Sequence, residues 1–355
     1  MNTRKVLAYA AYKADENLKP FDFVQRDCQD KDVEIEIYYC GVCHSDIHQA
    51  RNEWGGSTFP MVPGHEIIGK VIAVGGAVSK FKVGDWAGVG CMVDSCRACS
   101  HCKAHEEQYC KEGVTWSYNS MDKIAGRPTY GGYATHIICT EAFALSISKK
   151  FENNLAATAP LLCAGITTFS PLKKLGVGKG KKIGIIGLGG LGHMAVKIAV
   201  AMGAEVTVLS TSENKKADAL KLGAHHFALT TKAENMQTLA GSFDAILNTV
   251  SAPIDYNAYL NLLNIGGTLA VVGIPAEAVP VNPAILVMQR KQILGSLIGG
   301  IAETQEMLDF CAEKGIVSDI EIIKVQAINE AYERVLKSDV KYRFVIDVKQ
   351  SDMSK

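Results

Sequence analysis

Four cysteines fall close together, at Cys96, Cys99, Cys102 and Cys110. The spacing C-x2-C-x2-C-x7-C can wrap four thiolates around one Zn2+ in a closed tetrahedron, a structural arrangement. Cys43, His65 and Cys163 stand well apart from that set. Three soft ligands from distant segments are how a catalytic zinc keeps its fourth position open to water or substrate. Further on, Gly187-Leu188-Gly189-Gly190-Leu191-Gly192 forms a G-x-G-x-x-G run. A strand-like KIGII precedes it and an apolar, glycine-free helical pattern follows, the context in which such a run cradles a pyrophosphate. The helix N-terminus then offers unpaired N–H groups to phosphate. Metal-assisted hydride transfer with a dinucleotide is the chemistry these three features share.

Two details of these sets leave alternatives. Cys40-x-x-Cys43 is itself a metal-like pair, which could join Cys96-x-x-Cys99 as a zinc ribbon. Cys43 is preferred as a ligand of the open site because Ser45 and His48 follow it at fixed offsets. The strand after the glycine run ends at Leu209, where an acidic residue would bind a ribose 2′-hydroxyl. Ser210, Thr211 and Ser212 stand there instead, with Lys215 just beyond. Hydroxyls and a lysine suit a 2′-phosphate, so NADP(H) is expected; Glu213 swinging in to serve a plain ribose is the alternative.

The elements that must position these residues divide the 355-residue chain. Up to about residue 151 the pattern is β-rich, with strands expected at Val33–Tyr39, Ile67–Val74 and Thr135–Cys139. From Glu152, strand-like runs alternate with helical ones: Lys182–Ile186, Leu191–Met202, Glu205–Leu209, Asn214–Leu222, Ala245–Asn248, Tyr256–Leu263 and Gly267–Val272. That alternation predicts a parallel, doubly wound sheet. The tail offers helices at Ala302–Lys314 and Ile328–Ser338 and a strand at Arg343–Val348. An α/β chain is expected, with a zinc domain over 1–151 (lobe 91–112), a nucleotide domain over 152–295, and a return over 296–355.

Composition narrows the function classes. Lys+Arg and Asp+Glu balance at 37 each, which removes a bulk electrostatic case for nucleic acid or membrane. The mixed lobe, with Arg97, Lys103, Glu106, Glu107, Lys111 and Glu112, argues the same against a zinc-ribbon interaction module. No uninterrupted apolar run reaches membrane-span length. Met1–Tyr12 lacks the apolar core of a signal peptide, so a cytoplasmic protein is expected and its eleven cysteines are read as ligands or free thiols.

The segments GVCHSDIH, NEWGGSTFPMVPGHEIIG, YGGYATH, CAGITTFSPL and KYRFVID occur in this order. With the four-cysteine lobe they resemble the zinc-containing medium-chain alcohol dehydrogenases, in particular the cinnamyl alcohol dehydrogenase branch, over nearly the whole chain. The resemblance implies a GroES-like catalytic domain beside a Rossmann domain. It implies two zincs per chain, one on Cys43, His65 and Cys163 and one on the lobe cysteines, with Glu66 beside the first and Asp46 orienting His65. By the same likeness Ser45 exchanges the alcohol proton, and the cofactor ribose relays it to His48. His44 and Arg343 would face the pyrophosphate; Thr167, Thr249, Val272, Gly273, Ser296 and Ile298 would contact the cofactor. Trp54, Met61, Cys91, Trp116, Val287, Met288 and Ile298 would wall a pocket for aromatic or aliphatic aldehydes. A homodimer joined at a sheet edge near Leu286–Ile298 is implied, and an NAD-linked or polyol dehydrogenase of the same fold is the rival reading.

Overall fold

The strand Asp32–Val42 is the spine of the first structural unit, buried along most of its length. The computed structural model describes residues 4–275 and 277–355. They form two units, Met1–Cys163 with Gly300–Lys355, and Ala164–Gly299. In the first unit a seven-stranded sheet runs in the order Leu145–Ser146, Trp86–Val89, Ile67–Val74, Asp32–Val42, Arg343–Asp347, Ile320–Ile323, with His136–Thr140 also paired to Asp32–Val42. The C-terminal strand Arg343–Asp347 thus lies antiparallel beside the spine, with Phe344 opposite Val42. The hairpin Lys5–Ala10 and Lys19–Val24 adds to this unit. Val6, Ile35, Ile37, Tyr133, Phe344 and Ile346 are among the residues of its main core.

The second unit is a six-stranded, all-parallel sheet in the order His226–Leu229, Glu205–Ser210, Lys182–Ile186, Phe243–Asn248, Leu263–Val271, Gln292–Gly295. In chain order this is 3-2-1-4-5-6, with the switch point between the strands Lys182–Ile186 and Phe243–Asn248, where open α/β sheets bind ligands. Lys182–Ile186 is buried at every residue but the first, as a strand covered on both faces must be. The helix Gly192–Ala201 follows it directly, and most of its residues are buried.

The unit boundaries differ from the change in sequence texture at Glu152. Leu155–Thr158 and Ala159–Leu162 pack on the first unit's sheet, because Leu155, Leu161 and Leu162 bury their side chains there. Cys163 therefore belongs to the first unit. The chain returns at Gly300 rather than Ser296, since the Ser296 N–H still bonds the Val271 carbonyl of the parallel sheet at 3.1 Å. Among the described residues no single helix is long and apolar enough to cross a membrane.

Candidate active site

Cys43 caps the short helix His44–Ala50, which starts where the spine strand ends. Asp46, on the first turn, accepts the Cys43 N–H at 2.9 Å and so fixes the entry of the chain into the helix. The same buried carboxylate accepts from the Gly64 N–H at 3.0 Å, from His65 Nδ1 at 3.0 Å and from the Tyr133 hydroxyl at 3.3 Å. With Nδ1 donating to Asp46, the lone pair of His65 is on Nε2.

Cys43, His65, Glu66 and Cys163 each offer a ligand atom within 4.8 Å of the others, and all four are buried. The Cys43 and Cys163 sulfurs are 3.9 Å apart. Their contact draws the Cys43 thiol well below its ordinary range and holds Cys163 well above it, and the nearby Arg343 charge also lowers Cys43. Cys91, beside Cys163 and His65, is lowered as well, first by its contact with Cys163. Burial pushes Glu66 up to about 8, a push that Arg343 opposes. One Glu66 oxygen pairs with Arg343, while Oε2 is buried without a partner. A side chain at Gly41 would collide with that oxygen: its Cβ would lie 1.8 Å from Oε2. An orphaned carboxylate oxygen beside two thiols and an oriented imidazole is a donor set that fits Zn2+.

Ser45 Oγ lies 3.7 Å from Cys43 Sγ. His48, a turn further along, pairs through Nδ1 with Glu53, and its ring is 4.9 Å from that of Trp54. His44 is exposed at the start of the helix. Arg343 is 4% exposed and engaged with Glu66, a partner that the sequence did not indicate. Met61 is buried, Trp54 is exposed, and Trp116 is half-buried in the strand Thr115–Trp116.

The lobe cysteines Cys96, Cys99, Cys102 and Cys110 also lie within 4.8 Å of one another. Cys96 Sγ accepts the Cys99 N–H at 3.3 Å, and Cys110 Sγ accepts the Cys96 N–H at 3.5 Å. Such donors favour thiolates, and those of Cys102 and Lys111 bring Cys99 down to about 6. Burial raises Cys102 to about 12. The lobe is tied to the helix Ile301–Lys314 by Glu107, whose carboxylate accepts the Ile301 N–H at 3.0 Å. Cys40 is not part of either cluster; it is buried within the spine strand.

In the second unit, Gly187 has φ of +88° and a Cβ there would meet Val250 at 2.5 Å, so only glycine makes this turn. A Cβ at Gly189 would meet nothing within 4 Å, so this part of the turn lies open. Leu188, Gly190 and Leu191 complete the turn into the helix at Gly192. Thr249, Val272, Gly273 and Ser296 each follow the end of a parallel strand, which gathers them at the carboxyl edge of the sheet. Thr167 is buried in the helix Ala164–Lys174, and Ile298 is buried with φ of +38°. Val287 and Met288 are exposed on the helix Pro283–Gln289. Ser210 ends its strand and Thr211 and Ser212 are exposed just beyond it; the tip carries no carboxylate before Glu213. Sequence patterns did not reveal Tyr133 as a partner of Asp46, because nothing in the spacing of YGGYATH links it to a residue 87 positions away.

A sheet domain holding two metal-ligand clusters and a Rossmann unit with an intact glycine turn define a zinc-type oxidoreductase. Residues 29–149 match the alcohol dehydrogenase GroES-like domain, and residues 190–313 match the zinc-binding dehydrogenase domain. The chain is 56% identical to a probable formaldehyde dehydrogenase of Bacillus subtilis, over 91% of this chain and 92% of that protein. It is 54% identical to NADP-dependent alcohol dehydrogenase C 1 of Mycolicibacterium smegmatis, over 96% and 97% of the two chains. Its structure superposes on a cinnamyl alcohol dehydrogenase of Sorghum bicolor with a TM-score of 0.95 at 40% identity, covering 99% of this chain and all of that one. The chain belongs to the zinc-containing medium-chain alcohol dehydrogenases.

Proposed function

We propose that this enzyme interconverts aromatic or aliphatic aldehydes and primary alcohols with NADP(H), as a cytoplasmic homodimer with two zincs per chain. The observation that carries the reading is the buried convergence of Cys43, His65, Glu66 and Cys163 within 4.8 Å. Cys43, His65 and Cys163 are the assigned ligands of the catalytic zinc, with Glu66 beside them. Cys96, Cys99, Cys102 and Cys110 are assigned to the structural one. When bound, zinc supplies Lewis-acid polarisation of the carbonyl and NADPH supplies the hydride.

The protein residues do the rest. Asp46 locks the His65 tautomer, so that Nε2 presents its lone pair. Ser45 Oγ gives or takes the alcohol proton, and His48, with Glu53 on its Nδ1, is the outer end of that proton path. Arg343 offsets the Glu66 charge in the buried site. His44 and Arg343 are proposed pyrophosphate partners, as are the N–H groups of the glycine turn. Ser210, Thr211, Ser212 and Lys215 are proposed to hold the 2′-phosphate: the tip offers hydroxyls and a cation in place of the acid that would repel it. The NADP-dependence in the name of the mycobacterial relative supports the same choice.

The test is initial-rate reduction of cinnamaldehyde, benzaldehyde and formaldehyde with NADPH against NADH, with a metal count per chain. NADPH preference and two zincs are expected. NADH preference would overturn the 2′-phosphate assignment, and a single zinc would remove one of the two metal assignments.

A further inference from the structure

His193 follows the glycine turn directly, on the helix Gly192–Ala201, and is fully buried. Its Nδ1 lies 3.1 Å from the carbonyl oxygen of Gly189, four residues back. A carbonyl only accepts, so Nδ1 carries the proton. The His193 backbone N–H reaches the same oxygen at 3.0 Å. One residue therefore holds one carbonyl twice. The peptide held in this way joins Gly189 to Gly190. With no Cβ on either side, it meets less steric resistance to rotation than a peptide between two larger residues. A peptide unit is planar and trans, so its N–H points away from its C=O. While the Gly189 oxygen is drawn along the helix toward His193, the Gly190 N–H must point out of the helix end. Among the described residues that N–H has no acceptor within the protein.

We propose that His193 is a positioning residue for the cofactor: by donating from Nδ1 to the Gly189 carbonyl, it aims the Gly190 N–H at the dinucleotide pyrophosphate. This rests on the proposed dinucleotide reading of the glycine turn. The bond fixes beforehand a peptide that would otherwise lose its freedom only when the cofactor arrives, which lowers the cost of binding. Two donors on one carbonyl also polarise the peptide, and so strengthen its N–H toward an anion. The imidazole touches neither substrate nor metal in this role; it acts through the backbone.

The test is a matched pair, His193→Thr and His193→Val, which empty nearly the same volume and differ in one hydroxyl. A threonine on a helix can bond the carbonyl four residues back, and a valine cannot. NADPH and NADH are titrated separately into the zinc-loaded full-length enzyme and both variants, with dissociation constants read by fluorescence. For both cofactors His193→Val should bind at least about fivefold more weakly than His193→Thr, with the wild type at least as tight as His193→Thr. Equal constants in the two variants overturn the proposal. So does a difference confined to NADPH, since the pyrophosphate is common to both cofactors and the 2′-phosphate is not. A wild type that binds neither cofactor overturns the dinucleotide reading itself, and the role of His193 with it. Should either variant fail to fold, His193→Asn and His193→Leu replace them. The asparagine amide nitrogen stands close to the place of Nδ1 and leucine has no donor, so the same order of affinities must hold.

Discussion

Asp46 gathers four donors, from Cys43, Gly64, His65 and Tyr133, around one buried carboxylate. Two of them belong to assigned zinc ligands, so this single side chain sets the position of both. Asp46→Asn keeps the shape but turns an acceptor edge into a donor edge facing N–H groups. Zinc retention should fall roughly 10- to 100-fold, as for other partners of metal-bound histidines, read as the rate of zinc release to a chelator. Tyr133→Phe removes one of the four donors, the longest bond at 3.3 Å. A stability loss of about 1 kcal/mol or less by urea unfolding is expected, with zinc release changed far less than in Asp46→Asn. The contrast reflects what is legible in a sequence at this scale. Metal-ligand types carry their chemistry in the residue name, and a compact cysteine spacing carries geometry as well. Tyr133 and the pairing of Arg343 with Glu66 depend on which strands become neighbours, and one chain read along its length does not contain that.

At the scale of elements, the nucleotide unit was the more readable. Its central strands Lys182–Ile186, Glu205–Ser210 and Phe243–Asn248 are buried along most of their length, and the apolar run of Lys182–Ile186 marks that strand to the residue. The short helix His44–Ala50 escaped notice because seven residues give too little periodicity to see. The helix Ala164–Lys174 was hidden by Pro171 within it. The hairpin strand Lys19–Val24 is half exposed and contains a proline, so it too lacks a clean signal. Under the proposed reading the strand Glu205–Ser210 bears most on cofactor specificity, because its last residue stands at the strand tip where sheets of this type read a ribose. Ser210 Oγ accepts the Ser212 N–H at 3.1 Å, a bond that an aspartate can also accept. Ser210→Asp should therefore fold, yet place a negative charge against the 2′-phosphate. A fall in kcat/KM for NADPH of at least about tenfold is expected, with NADH affected little or improved.

For the whole molecule the open question is what covers the last strand of the parallel sheet. Gln292–Gly295 pairs with Leu263–Val271 on one side, and it ends the sheet order on the other. An uncovered edge presents unpaired N–H and C=O groups, a template for pairing with a second chain. Arg290 and Lys291 lead into this strand, yet apolar side chains also stand out on the surface: Ile293 is exposed in the strand, and on the preceding helix Val287 is 78% and Met288 81% exposed. Composition and family likeness point to the run Leu286–Ile298 as a joining edge, and exposure is the part that composition does not supply. A two-fold pairing of this edge with its copy would bury both patches in one self-complementary surface. Sedimentation velocity should then show a dimer for the wild type. Val287→Asp with Met288→Asp should shift the equilibrium to monomer, because two like-charged pairs would face each other across the contact. The substituted side chains project into solvent in a single chain, so the monomer should keep its fold by circular dichroism. A double variant that sediments unchanged would move the contact off this surface.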